Sequence, residues 1–364
     1  MPLIIFLSIL SRFFNKRKGI GIGPEPLINN IFHKKALENF DYYAETFSIG
    51  SYYITNKFDH VFDFPLCSYY SFLRSLFVYE CLYMYFNGCL IFKNSIFENF
   101  EPHIFKIAGV KTVIMPYGSD VQDLSRSKNL LYKNAVFKDA PTYKLDDTNI
   151  AKRIFKWQIN GSHIISGCDW VDYMTFWDTL MISHFAIDTD EIKPNFFSNT
   201  SDPIKIIHAP NHQNIKGSKF FITAVEDLIS EGHHIDFKLL KNVPNEEFKE
   251  KISNCDILLD QLIVGWYAMT AIEAMAFGKP VICFMREDIE ELFVCEGLIE
   301  RDEIPIINAN TKNIKEILKN LIEDRSALRE IGIKSRNYVE AHHSLDFIGN
   351  CFNEINQKIG VYPS

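Results

Sequence analysis

Between residues 204 and 284 the chain switches repeatedly from an apolar run of strand length to an apolar stripe of helical period, and few folds accept that alternation. Residues 204–208 read as a strand. Residues 219–229 read as a helix with Phe221, Val225 and Leu228 on one face, ended by Gly232. A strand over 235–240 follows, then a helix to Ile252 for which Asn245 is the expected cap. A strand at 256–259, a loop to Gly265, a helix over 269–277 stopped by Gly278 and a strand at 280–284 complete the series. Strands alternating with helices at these lengths form a parallel sheet. The domain is Rossmann-like, and its ligands bind beyond the carboxyl ends of the strands.

The first half reads as α/β with less regularity. Residues 18–23 are a short strand running into a glycine-rich turn before Pro24, and residues 29–40 form a helix. Residues 111–115 are a strand with a loop over 116–120 at its carboxyl end, and residues 163–166 are another, turning at Gly167. The aromatic and aliphatic stretch 69–86 reads as one buried or partner-facing helix. Residues 188–203 are polar, with Pro194, Asn195, Asn199 and Ser201, and make the best linker. Residues 310–357 are largely helical, and their last part could pack back on the first domain.

A chain of 364 residues is long enough for two cores. Its net charge of -8 removes the positive field that a nucleic-acid partner needs. The 8 cysteines are dispersed without zinc-type or redox-type pairs, which points to a reduced, metal-free, cytoplasmic protein. At the N-terminus an apolar run, residues 2–10, precedes Arg12, Lys16, Arg17 and Lys18. A secretory signal carries its charge before the apolar run. The run is also shorter than the roughly 20 residues that span a bilayer. Two readings stand: a strand or helix packed on the domain, or an apolar helix with a basic skirt lying on the anionic inner leaflet.

Three loops, each after an expected strand, could carry chemistry. The first runs from His208 through His212 to Lys216 and Gly217. A lysine there can meet a diphosphate as a point charge, or can simply be solvated. The second runs from Asp260 and Gln261 through Gly265, Trp266, Tyr267, Met269 and Thr270 to Glu273. Free amides at the start of that helix can cradle phosphate oxygens. Glu273, one turn inside, can accept hydrogen bonds from vicinal sugar hydroxyls; its alternative use is solubility or the helix dipole. The third loop is Tyr117-Gly118-Ser119-Asp120, whose carboxylate could orient or deprotonate an acceptor hydroxyl, or whose Ser119 and Asp120 could serve the turn.

These segments together resemble the GT-B glycosyltransferases of group 1, the GT4 family. The resemblance rests on His208-Ala209-Pro210-Asn211 with Lys216-Gly217, on Asp256-Ile257, Asp260-Gln261 and Gly265-Trp266-Tyr267, and on residues 273–281. It extends more weakly to Tyr117–Asp120 and to Gly21-Ile22-Gly23-Pro24-Glu25-Pro26, which is similar to a first-strand turn near the acceptor. The resemblance implies two Rossmann-like domains facing across a central cleft, retention of the donor's anomeric configuration and no bound metal. It implies a nucleotide sugar as co-substrate and no cofactor. The implied acceptor is a glycan or lipid-linked hydroxyl in bacterial surface polysaccharide synthesis, such as capsule or lipopolysaccharide.

By the same resemblance Lys216 meets the diphosphate and Glu273 the donor ribose; Asp120 is the residue expected to position the acceptor. These three are the expected catalytic residues, and Gly23, Ser119, His212, Gly265, Trp266, Tyr267, Met269 and Thr270 join Lys216 and Glu273 around the substrates. Two positions depart from the family: Gly265 stands where the first of two acidic residues is usual, and His212 near the usual arginine. The expected division is an apolar and basic segment 1–18, an acceptor-side domain 19–190, a linker 191–203, a donor domain 204–325 and a helical segment 326–364. The rivals are a nucleotide-sugar epimerase or hydrolase of related fold, and a noncatalytic nucleotide-sugar binder motivated by Gly265 and His212. The expected location is the cytoplasm, with the inner face of the membrane as a peripheral site for the N-terminus.

Overall fold

The computed structural model describes residues 2–13, 19–50, 57–89, 98–139, 148–198, 202–241 and 243–363. Lys16, Arg17 and Lys18 of the basic run, and Asn199 and Ser201 of the linker, lie outside them. The chain forms two compact units: Met1–Arg126 with Asp146–Ala186 and Leu345–Ser364, and Ser127–Leu145 with Ile187–Ser344.

Among the described residues the first unit is built on seven strands, β1 (Ile20–Ile22), β2 (Ala44–Ile49), β3 (His60–Phe62), β4 (Cys81–Tyr85), β5 (Lys111–Met115), β6 (His163–Ser166) and β7 (Thr179–Leu180). All pairings are parallel, in the order β3-β2-β1-β4-β5-β6-β7. Its helices are α1 (Pro2–Ser11), α2 (Asn29–Glu38), α3 (Cys67–Phe77), α4 (Glu101–Ala108) and, beyond an excursion of the chain through α5 (Leu130–Asp139) in the other unit, α6 (Thr148–Asn160). Every residue of β4 is fully buried, as a central parallel strand covered on both faces must be.

That strand corrects one expectation. Residues 69–86 are not a single helix: α3 ends at Phe77, and after Val78, Tyr79 and Glu80 the chain becomes β4, paired to β1 and β5. A buried helix and a doubly covered strand both read as an unbroken apolar run, so the pattern carried no boundary.

Among the described residues the second unit has five parallel strands in the order β12-β11-β10-β8-β9: β8 (Ile204–His208), β9 (Ile235–Leu239), β10 (Ile257–Gln261), β11 (Val281–Cys283) and β12 (Ile306–Asn308). Its helices are α5, α7 (Gln213–Lys216), α8 (Ser218–Ser230), α9 (Asn245–Ser253), α10 (Met269–Ala276), α11 (Glu287–Cys295), α12 (Ile314–Glu323) and α13 (Leu328–His342). Ile204, Ile206, Phe221, Leu228, Ile257, Leu259 and Leu318 meet in its core at no exposure. Asn245 does not cap α9. It is the first residue inside the helix, Pro244 holds the cap position, and the Asn245 amide is spent elsewhere.

The last helix, α14 (Leu345–Lys358), returns to the first unit and packs on α2. Tyr83 and Tyr42 donate hydrogen bonds to Asn356 and Asn353, each 2.9 Å. No helix among the described residues is long and apolar enough to cross a membrane.

Candidate functional site

In each sheet the order of the strands reverses once, between β1 and β4 in the first unit and between β8 and β10 in the second. Loops leaving the carboxyl ends on either side of such a point diverge and leave a crevice, the usual ligand position of an open α/β sheet. Most of the sequence-derived candidates sit on these loops or on the helix they lead into; Ser119 and Asp120 follow the next strand, β5.

In the second unit, the loop after β8 carries His212, exposed at the entrance of α7, and ends at Lys216. The loop after β10 leads through Gly265 to α10. Lys216 is nearly buried, and its ammonium donates to the Asp260 carboxylate at 3.1 Å. The other Asp260 oxygen accepts from the Ala268 amide at 3.4 Å, at the mouth of α10. The cation, its counter-charge and the positive end of a helix therefore form one cluster. No side chain caps α10, and Met269 and Thr270 in its first turn are half-buried. A lysine and uncapped helix amides are an anion-binding arrangement, moderated here by Asp260, which spacing alone did not reveal as a partner.

Both loops are gripped by the segment around α5. Asp139 accepts from the Ile215 amide at 2.9 Å and from the Asn214 side chain at 2.5 Å. Asn129 donates to the carbonyls of Ile263 at 2.6 Å and Val264 at 3.2 Å. Behind them the buried His208 imidazole bridges the Leu259 carbonyl and Ser218 hydroxyl, each 2.8 Å away, and burial holds it neutral by pushing its pKa down to about 4.

Glu273 lies one turn inside α10, 4% exposed, and accepts from the Asn245 amide at 2.9 Å. Burial drives its pKa up to about 7; Asn245 and Lys249 oppose the rise and Glu246 assists it. A carboxyl group at that poise can accept from hydroxyls as an anion, or donate to one when protonated.

Gly265 has a reason to be glycine. Its φ is +103°, and a Cβ there would lie 2.6 Å from Cδ of Arg286, whose stem crosses it and whose own amide donates to the Gly265 carbonyl at 2.9 Å. The Arg286 guanidinium grips Asp288 with two hydrogen bonds, at 2.9 and 2.6 Å. At this position the chain thus has a cation's stem overhead. Trp266 and Tyr267 face the core. They are 1% and 2% exposed, Trp266 packs edge-on to Phe293, and the Tyr267 hydroxyl meets those of Tyr338 and the ring of His343 at 2.9 Å.

In the first unit, Gly23 ends β1 where a Cβ would fall 2.1 Å from the Phe47 carbonyl oxygen, so no other residue fits. Glu25 follows, half-buried. Asn87, just after β4, donates to Glu25 at 2.6 Å and to the Tyr117 hydroxyl at 2.9 Å, while its own carbonyl oxygen is buried without a hydrogen-bond partner among the described residues. Ser119 is exposed beside Tyr117. Asp120 is fully buried and faces backbone rather than solvent: its oxygens accept from the amides of Tyr117 and Gly118 at 3.0 Å and Phe86 at 3.1 Å. Burial lifts its pKa to about 7 against those three donors. Its carboxylate holds the loop in shape. The side chains flanking the switch point are those of Glu25 and Asn87, and Tyr117 of the adjacent β5 loop joins them through its hydrogen bond with Asn87. Glu25 was visible only as part of a turn, and Asn87 follows a strand that was read as helix. Among the described residues no cluster of His, Cys, Asp and Glu is arranged to hold a metal.

No protein-family model matches this sequence, and no curated protein matches it either. Solved structures do. A sucrose-phosphate synthase from Thermosynechococcus elongatus superimposes with a TM-score of 0.61 at 11% identity, covering 94% of this chain and 99% of that one. An alpha-glucosyltransferase solved with UDP and a 13-mer DNA gives 0.58 at 11% identity, covering 94% and 98%. TarM of S. aureus, solved with Fondaparinux, alpha-GlcNAc-glycerol and UDP, gives 0.51 at 11% identity; the match covers 80% of this chain and 58% of TarM. At such identity the likeness concerns architecture alone. With two parallel sheets and interleaved helices matched along nearly its whole length, the chain has the GT-B fold found in glycosyltransferases.

Proposed function

We propose that this chain is a retaining, metal-independent glycosyltransferase of the GT4 type. It moves a sugar from a nucleotide sugar to a hydroxyl of a glycan or lipid-linked acceptor in bacterial surface polysaccharide synthesis. The observation that carries the reading is the cluster at the β8–β10 switch point, where Lys216, Asp260 and the uncapped start of α10 converge. UDP in two of the similar structures supports a uridine nucleotide.

In this reading Lys216 and the amides of Met269 and Thr270 face the diphosphate, with Asp260 fixing the ammonium. Negative charge grows on the leaving diphosphate as the glycosidic bond breaks, so these donors stabilise the transition state more than the bound donor. Glu273 accepts from the ribose hydroxyls and exchanges its Asn245 contact to do so. Gly265 contributes backbone, His212 borders the phosphates, and Trp266 and Tyr267 act by shaping the loop from the core side. The acceptor hydroxyl is bound by Glu25, Asn87, Tyr117 and Ser119. Asp120 positions them through the loop backbone, and Gly23 permits the turn. The protein works in the cytoplasm, and α1 brings it to anionic lipid at the inner face of the membrane.

Calorimetric titration with UDP and UDP-sugars, followed by transfer assays with candidate acceptors, tests the assignment. Saturable UDP binding lost in Glu273→Ala, with folding intact, is the expected result. Equal binding by that variant removes the ribose role.

A further inference from the structure

Helix α1 is amphipathic in the wrong sense for water. The residues it buries are Ser8 and Ser11, which can be buried because their hydroxyls donate to the Ile4 and Ser8 carbonyls at 2.7 and 2.8 Å. Those it exposes are Leu3 at 67%, Phe6 at 60% and Ile9 at 48%, with Phe13 beyond its end at 81%. At 100° per residue Leu3, Phe6 and Ile9 lie on one side and the serines on the other, where α1 packs on α4. A large apolar face turned outward by a helix that buries its small polar residues fits an apolar medium better than water.

The end of α1 leads to a second feature. Arg12 borders a cavity of about 610 Å³ that also takes Lys106 and Lys111 from the α4–β5 corner and Lys358 from the end of α14. Asn160 and Ser162, before β6, add polar lining, and among the described residues no carboxylate lines it. Among the described residues none of the four cations has an ion-pair partner. The cavity lies at the amino ends of β5 and β6, the opposite edge of this sheet from Asn87 and Tyr117.

The geometry points to a docking surface for an anionic phospholipid bilayer, with the outer face of α1 among the acyl chains and a headgroup phosphate in the cavity of Arg12, Lys106, Lys111 and Lys358. This rests on the lipid contact proposed above and gives it a defined cation site drawn from three separate segments. Charge complementarity selects the occupant: four cations with no carboxylate beside them among the described residues take an anion, and the adjoining apolar face takes the rest of the lipid. A cation near an anionic membrane strengthens association by about fivefold.

The test is flotation of the full chain with vesicles of phosphatidylcholine alone and of equal parts phosphatidylcholine and phosphatidylglycerol. Binding to the mixed vesicles should exceed binding to the neutral ones by more than about tenfold, given that contribution from several cations. The double variant Lys106→Glu/Lys111→Glu should fall to the neutral-vesicle level, and Leu3→Ser/Phe6→Ser should lose binding to both. Equal binding to the two vesicle types, or native-level binding by the charge-reversed chain, overturns the proposal. So does protection of Lys111 from acetylation by inorganic phosphate in a chain that floats with no vesicle, which would make the cavity a site for soluble anions. If the charge-reversed chain fails to fold, the native chain decides: release from mixed vesicles as sodium chloride rises is expected, and salt-independent binding overturns the idea. UDP titration of the same proteins separates the two readings, because these substitutions lie outside the donor loops.

Discussion

The Lys216 ammonium stands 3.1 Å from the Asp260 carboxylate, with the two side chains only 10% and 1% exposed. A pair this enclosed has given up most of its hydration, so each charge depends on the other. Lys216→Met should therefore destabilise the second unit by about 3–5 kcal/mol, the usual effect of stranding one buried charge. The double variant Lys216→Met/Asp260→Asn should recover most of that loss in urea unfolding while still binding UDP about tenfold or more weakly, as expected when a charged hydrogen bond is lost. A stable double variant with native affinity for UDP would take the diphosphate role away from Lys216.

Glu273 makes a prediction about pH. Its carboxyl pKa, about 7 in the fold, is raised above the ordinary 4.5 chiefly by burial. The unfolded chain therefore ionises it first, and the stability it contributes is complete below pH 4.5 and disappears as pH rises through 7. Glu273→Gln, nearly the same shape without the charge, should gain on the native protein by about 2 kcal/mol between pH 5.5 and 8.5, at 1.36 kcal/mol per pKa unit. Thermal melts of both proteins across that range measure the difference. Parallel curves would show that Glu273 titrates in the fold as it does in solvent.

Gly265 and Arg286 form a second dependent pair. Gly265→Glu, which restores the acid usual in the resembled family, places a Cβ at φ +103° and 2.6 Å from the Arg286 side chain. The left-handed backbone alone costs about 1–2 kcal/mol for a non-glycine residue, and the collision adds to it. We expect a lower urea midpoint and no gain in sugar transfer. Combining Gly265→Ala with Arg286→Ala should return the steric part of the loss and leave the backbone part, which a double-mutant cycle resolves. Strict additivity would show that the two side chains do not meet.

Much of this architecture was legible in the sequence because its strands are short, apolar and spaced by helical stripes. The bounds expected for β5, β6 and β8 coincide with those observed, and α8 and α10 differ by a residue or so. β4 was lost inside an apolar run because burial on both faces erases its alternation. With it went Asn87, the residue that links Glu25 to Tyr117. The positions of Lys216 and Glu273 could be read from pattern, but their partners could not: Asp260 is 44 residues from Lys216 and Asn245 is 28 from Glu273. No local periodicity encodes such contacts. The inward turn of Trp266 and Tyr267 has the same origin, since it depends on Phe293, Tyr338 and His343.

Asp120 supplies the last prediction. Its two oxygens serve three backbone amides, those of Tyr117 and Gly118 on one oxygen and of Phe86 on the other. Asp120→Asn must set an NH₂ group against at least one of these donors, leaving a buried amide without an acceptor at a cost of about 1–3 kcal/mol. The loop that presents Tyr117 and Ser119 should loosen, so transfer should show a raised KM for the acceptor. UDP affinity should be unchanged, because the donor loops belong to the other unit. Asp120→Ala, which removes the acceptor for all three amides without adding a donor, should give the same split with a larger loss of stability. If either variant lowers UDP affinity while the acceptor KM stays native, Asp120 does not act through this loop and the assignment of the acceptor to Glu25, Asn87 and Tyr117 loses its support.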